Sequence, residues 1–260
     1  ITSGNKVGDA IELINIWDMP LSMGSGPLAL AANVTAIVSN QAIAGQSVSD
    51  TVALTYYSSP SFNGVQYGRV YTASSSTSFF VNDTSTMQHY LVGVSVPQLS
   101  PPQVSVGETL TYQIAITLIQ GTSTNVVVTA DVAPPEYQGG RLQLLSATVS
   151  SMPTNMVSST GIQLGSSGGF ADKSFSDGIN DFITFNFGNV TNFYNTTGSG
   201  NNTIVMTLLA YILNDPVNNV QGTVLGTAAT FSRPGLASPM RIVTPEVTIQ
   251  EPLLSLNVVI

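Results

Sequence analysis

The chain contains one histidine, His89, beside Tyr90 in an apparent strand. Imidazole moves protons near neutral pH and is a frequent metal ligand. With one histidine the options for a His-ligated metal set or a Ser/His/Asp triad are few, and no G-x-S-x-G nucleophile turn accompanies it. A structural or surface role is expected for His89. Asp172, Asp177, Asn180 and Asp181 are close enough in sequence to line a calcium loop, but they lack the tight alternate spacing of an EF-hand loop, so turn-forming, solvated Asp is expected. The Gly165-Ser166-Ser167-Gly168-Gly169 run precedes neither a helix nor a Lys, which makes it a flexible loop rather than a phosphate cradle. Trp17 and the tyrosines have the makings of a sugar-binding platform, against which core or interface packing is the expectation. No catalytic residue, cofactor or metal is expected, and the chain reads as a non-enzyme.

Five N-glycosylation sequons stand at Asn33, Asn82, Asn189, Asn195 and Asn201. With 19 Asn and 59 Ser plus Thr, chance alone places about four, so position matters more than count. Asn33 faces away from the apolar side of its expected strand, and Asn195 and Asn201 sit in a polar stretch.

Composition narrows the partners. Six Lys plus Arg against fourteen Asp plus Glu give a net charge of −8 with no basic run, which argues against nucleic acid and anionic membrane surfaces. No apolar run reaches transmembrane length, so no membrane insertion is expected. With no cysteine, neither a disulfide framework nor a thiolate site can form. The chain starts at Ile1, consistent with either a processed mature form or a segment of something longer.

The elements that carry these residues read as short strands between turns. Apolar runs or alternations occur at 10–17, 28–38, 49–57, 79–81 and 89–96, with a Ser/Thr-rich stretch at 72–78. Pro97, Pro101 and Pro102 mark a boundary, expected after residue 98. Beyond it Leu110, Tyr112, Ile114, Ile116 and Leu118 face one way and Thr109, Thr111, Gln113 and Thr117 the other. Strands follow at 125–129, 142–149, 182–187, 204–213, 223–231 and 243–250, with 157–180 left as one long loop. Short strands at this spacing without helical period predict β-sandwich modules.

An internal repeat orders them. The stretch 26–40 aligns without gaps on 200–214, Asp50–Tyr56 on Gly226–Phe231, Asp9-Ala10-Ile11 on Asp181-Phe182-Ile183, and Pro97–Ser100 on Pro252–Ser255. Nothing before Asp9 resembles Leu110–Val132, so the first module lacks its opening strands. The expected organisation is an incomplete sandwich over 1–98, a complete one over 99–250 and a terminal strand over 251–260.

Val106-Gly107-Glu108-Thr109-Leu110-Thr111-Tyr112 followed by Asn125-Val126-Val127-Val128-Thr129 resembles the conserved Ig-like repeat strung in tandem in large bacterial surface and fimbrial proteins; Asp181–Gly188 and Thr227–Phe231 resemble its later strands. The resemblance implies an Ig-like sandwich with a structural or adhesive role and no activity. Lys-to-Asn/Asp isopeptide cross-links occur in some such proteins, and here only Lys6 and Lys173 are eligible, with ordinary loop cations the expected reading. Ala130, inserted between Thr129 and Asp131 relative to that pattern, suggests a bulge.

In 251–260, Leu254, Leu256, Val258 and Ile260 share one face of an extended segment and Ser255 and Asn257 the other. Such a strand is suited to burial in another module, as a donor strand. The expected function is therefore a subunit of an extracellular, cell-surface fibre, polymerising head to tail with copies of itself into a linear or helical filament. The alternatives are a segment of a long tandem-repeat surface adhesin and a carbohydrate-binding module contacting surface glycans.

Overall fold

The computed structural model describes residues 43, 45–57, 61–62, 65–66, 68–96, 103–137, 140–193, 202–244 and 247–251. Lys6, Trp17, Asn33, Asn195, Asn201, the alternating 28–38 run and the expected donor residues Leu254, Leu256, Val258 and Ile260 lie outside them. The chain divides into two compact units, Ile1–Ser39 with Gln46–Val81, and Asn40–Gly45 with Asn82–Ile260.

In the first unit, β1 (Ser47–Tyr57), β2 (Ser61–Phe62), β3 (Val65–Gln66) and β4 (Val70–Phe80) are strands. β1 and β4 form an antiparallel ribbon in continuous register from Ser47 opposite Phe80 to Tyr57 opposite Val70. The Ser/Thr-rich stretch that looked like a connection is thus the middle of β4. Tyr71, Ala73 and Phe79 flank an unbroken run of hydroxyl residues, Ser74-Ser75-Ser76-Thr77-Ser78, and the β-branched and aromatic side chains of the strand suit an extended backbone.

In the second unit the strands are β5 (Thr86–Val94), β6 (Gln103–Val104), β7 (Thr109–Thr117), β8 (Gly121–Asp131), β9 (Leu142–Ser151), β10 (Met156–Ser158), β11 (Gly169–Ala171), β12 (Phe182–Asn192), β13 (Thr203–Ile212), β14 (Val224–Leu225), β15 (Ala228–Ser232), β16 (Met240–Val243) and β17 (Val247–Ile249). One sheet runs β5-β7-β13-β9, a second runs β10-β12-β8-β15-β16 with β11 also on β12, and a small sheet runs β14-β17-β6. The described residues are all-β, a sandwich of antiparallel sheets, as the alternation required.

Its core is the period-two face of each strand. Leu110, Tyr112, Ile114 and Ile116 of β7 and Ile204, Met206, Leu208 and Ile212 of β13 are fully buried, as are Ile183, Phe185 and Phe187 of β12. Each such side chain contributes about 1.5–3 kcal/mol gross on leaving water, which is what holds two sheets face to face.

Several expectations change. The boundary does not fall at the prolines, because β5 pairs with β7 from Thr86 opposite Thr117 to Val94 opposite Leu110; the division lies between Val81 and Asn82. Ala130 is not a bulge: it stands in unbroken register with Ile183 and with Ala229. The irregularity lies further along the pair, where the pairing slips around Gly188. Gly188 and Asn125 both take positive φ, at 61° and 46°, and the buried positions of both strands change parity there. The 157–180 loop holds two short strands docked on β12. The 165–169 run is tied to β9, with Gly165 N–H donating to Val149 O at 2.8 Å and Gly168 N–H to Ala147 O at 3.3 Å. The single strand expected over 223–231 is two strands in different sheets. Gly226 separates them, and the Tyr137 ring occupies the space a Cβ there would need.

Candidate functional site

His89 is the first residue to place. On β5 it points inward, 6% exposed. Its Nε2 lies 3.1 Å from Thr227 Oγ1 and its Nδ1 3.4 Å from Ile242 O. Thr227 and Thr244 close the cluster, with Thr227 N–H donating to Thr244 Oγ1 at 2.9 Å and the two hydroxyls 3.2 Å apart. Burial pushes the imidazole pKa down to about 4, against a smaller upward pull from the Ile242 carbonyl. Neutral and walled in by the Tyr112 ring at 6.0 Å between centroids, His89 bridges the two sheets as a structural polar pin.

The acidic loop is equally occupied. Asp172 accepts from the N–H groups of Ser176 and Gly178, Asp177 from Ile179, and Asp181 from Lys173 and Ser174 at 2.8 Å each. Asp177 makes the expected Asx-type contact two residues on, whereas Asp172 holds amides four and six residues on, and Asp181, expected to be solvated, is buried and holds amides seven and eight residues upstream. Among the described residues no group of three or more His, Asp or Glu side chains converges as a metal set. Lys173 holds its ammonium 3.9 Å above the Phe182 ring.

Of the described sequons, Asn82 is exposed in the connection before β5. Asn189 is also exposed, and its side-chain oxygen accepts from the Asn125 N–H at 3.1 Å.

Two polar fixtures escaped the sequence reading. Buried Arg233, just past β15, pairs with Asp83. Burial opposes ionisation of Asp83, but the Arg233 guanidinium and the Ser85 N–H outweigh it and hold the carboxyl below its ordinary range. Arg141 pairs with Asp177 and, at 3.2 Å, with Asp215. Asn219 clasps the same corner, accepting from Arg141 N–H and donating to the carbonyls of Arg141 and Leu213. Partners 36 to 150 residues apart leave no local spacing by which to find them.

These fixtures sit at opposite ends of the sandwich. Asp83 anchors the chain where it enters, beside Thr86, Thr117 and Thr203. At the far end, where Val94 pairs with Leu110 and Tyr211 with Thr109, β17 lies beside β6. β17 runs parallel to β6, Thr248 opposite Gln103 and Ile249 opposite Val104; Gln250 N–H then donates to Val104 O at 2.8 Å, and Ser105 Oγ to Gln250 O at 3.3 Å. Thr86 and Gln250 therefore stand toward opposite ends of β7, whose nine residues span about 27 Å at the usual rise per residue.

The β1–β4 ribbon is the other surface with a character of its own. Its register puts Val48, Asp50, Val52 and Leu54 on one face with Phe79, Thr77, Ser75, Ala73 and Tyr71, and Ser47, Ser49, Thr51, Ala53 and Thr55 on the other with Phe80, Ser78, Ser76, Ser74, Thr72 and Val70. Val52 is 60% exposed, Leu54 53%, Phe79 47% and Tyr71 40%.

No helix among the described residues is long and apolar enough to cross a membrane. Neither a protein-family model nor a curated protein sequence matches the chain. Among solved structures, it is similar to the full-length major pilin SpaD from Corynebacterium diphtheriae at 12% identity over 63% of this chain and 35% of that one, TM-score 0.34. It is also similar to BcpA, the major pilin subunit of Bacillus cereus, at 11% identity over 77% of this chain and 64% of that one, TM-score 0.34. A putative membrane-anchored protein from Corynebacterium diphtheriae matches at 10% identity over 84% of this chain and 59% of that one, TM-score 0.37. The chain spans between about a third and under two thirds of the length of these structures. Matches this distant concern all-β architecture and assign the chain neither an activity nor a partner.

Proposed function

We propose that the chain is a non-enzymatic structural subunit of an extracellular fibre in which β-sandwiches are joined end to end. The segment 251–260 would supply the opening strand of the next sandwich, in another subunit. The observation that supports this reading is that Asp83 and Gln250, near the first and last described residues of the 82–251 run, lie toward opposite ends of the second unit's sandwich. A module with its connections at opposite ends propagates in a line, and a head-to-tail joint is heterologous and need not close. His89 and the acidic loop, their hydrogen-bonding capacity spent internally, are fixtures of the scaffold.

Burying Leu254, Leu256, Val258 and Ile260 in such a joint contributes about 6–12 kcal/mol gross, enough for a stable contact after ordering costs. The purified full chain is expected to form filaments by negative-stain imaging, and a form ending at Gln250 to stay monomeric. Filaments from the shortened form would sink the donor-strand joint. The same geometry suits a covalent string of sandwiches in a longer surface protein, and the mass of the intact polypeptide decides between the two.

A further inference from the structure

We propose that Asn189 is the acceptor of an N-linked glycan, an assignment independent of the head-to-tail joint. Five sequons are close to the chance number, so Asn189-Val190-Thr191 is distinguished by how the fold presents it rather than by its motif. The slip at Gly188 decides this. Before it, Ile183, Phe185 and Phe187 of β12 point inward, and unbroken alternation would carry position 189 into the core after them. Beyond it Val190 and Asn192 are the buried ones. Asn189 and Thr191 are thereby turned out on either side of Val190, Asn189 exposed and Thr191 half-buried.

The asparagine is also held with its reactive atom outward. Its N–H donates to Ser159 Oγ and its carbonyl accepts from Ser159 N–H, each at 2.8 Å, which fixes the backbone. Asn125 N–H donates to Oδ1 of Asn189 at 3.1 Å, and only the oxygen of an amide can accept that bond, so Nδ2 takes the opposite position. This Nδ2 has no protein partner among the described residues. Asn155, Asn192, Asn218 and Asn219, none of which begins a sequon, each donate from Nδ2 to a protein oxygen.

An N-glycosidic bond uses that nitrogen and spares that oxygen. Nδ2 bonds to the anomeric carbon of a sugar activated as a glycosyl diphosphate, the bond from that carbon to the diphosphate oxygen breaks, and one amide proton departs to a base of the transferring enzyme. The linked amide keeps Oδ1 and one N–H. The hydrogen bond from Asn125 therefore survives, and the saccharide projects into solvent without repacking β12.

Mass spectrometry of chymotryptic peptides, on the chain isolated from the cells that produce it, tests this. Cleavage after Phe187 and Phe193 frees 188–193 from the sequons at Asn195 and Asn201. That peptide is expected to carry an added saccharide mass. Asn189→Gln and Thr191→Val, expressed in the same cells, are expected to lose it completely, and Thr191→Ser to keep it. A bare 188–193 peptide from the unaltered chain would overturn the proposal. A saccharide that survives Asn189→Gln would overturn it too, because the sugar would then be linked to the Thr191 hydroxyl.

Discussion

His89 shows how burial turns a reactive side chain into a structural one. Its folded pKa of about 4 lies below the ordinary 6.5, so folding favours the neutral ring. The unfolded chain binds the proton more readily, and the associated stability is fully present above pH 6.5 and lost as pH falls toward 4. A difference of that size is worth about 3 kcal/mol. Urea midpoints are expected to fall across that window, and His89→Gln to remove that part of the slope; an unchanged slope would mean the imidazole is solvated. Arg233 belongs to the same scale. Asp83→Ala leaves its buried guanidinium uncompensated and is expected to cost about 3–5 kcal/mol in chemical denaturation, more than the loss of an exposed ion pair.

At the scale of elements, closure of the second unit depends on β17. Val247 and Ile249 are fully buried between Leu225 of β14 and Val104 of β6. Ile249→Ala is expected to cost about 2–5 kcal/mol and to raise amide exchange at Gln250, whose N–H donates to Val104. Gly226→Ala tests the break between β14 and β15. The new methyl must displace the Tyr137 ring, whose hydroxyl donates to Thr244 O at 2.8 Å, and a loss of about 1–3 kcal/mol is expected. These breaks were hidden in the sequence because 223–231 is continuously strand-like, and only the position of Tyr137 makes residue 226 a place where no side chain fits.

For the whole molecule, the decisive change is where the chain divides. Val81 is the last residue of the first unit, and β5 is an edge strand of the second. Limited proteolysis is expected to leave a resistant fragment starting near Asn82; one starting near Leu99 would mean that β5 is dispensable to the sandwich. Pro97, Pro101 and Pro102 fall in sequence between β5 and β6, both strands of the second unit. Prolines interrupt strands wherever strands end, and nothing in their local chemistry tells a link within a sheet from a link between domains.

The sequence by itself determined the all-β class, most of the longer strands of the second unit and the inward face of β7, because a period of two with apolar residues on one side is a local property that sheet packing reinforces. Leu110, Tyr112, Ile114 and Ile116 were legible as core, and their burial is complete. The absence of an EF-hand spacing in 172–181 was legible too, and each carboxylate there is held by turn amides. Partners remote in sequence were decided only by tertiary structure: β5 on β7, β17 beside β6, Asp83 with Arg233, and His89 with Thr227. Each depends on which strands become neighbours, and alternation fixes the face of a strand without naming the strand it will meet.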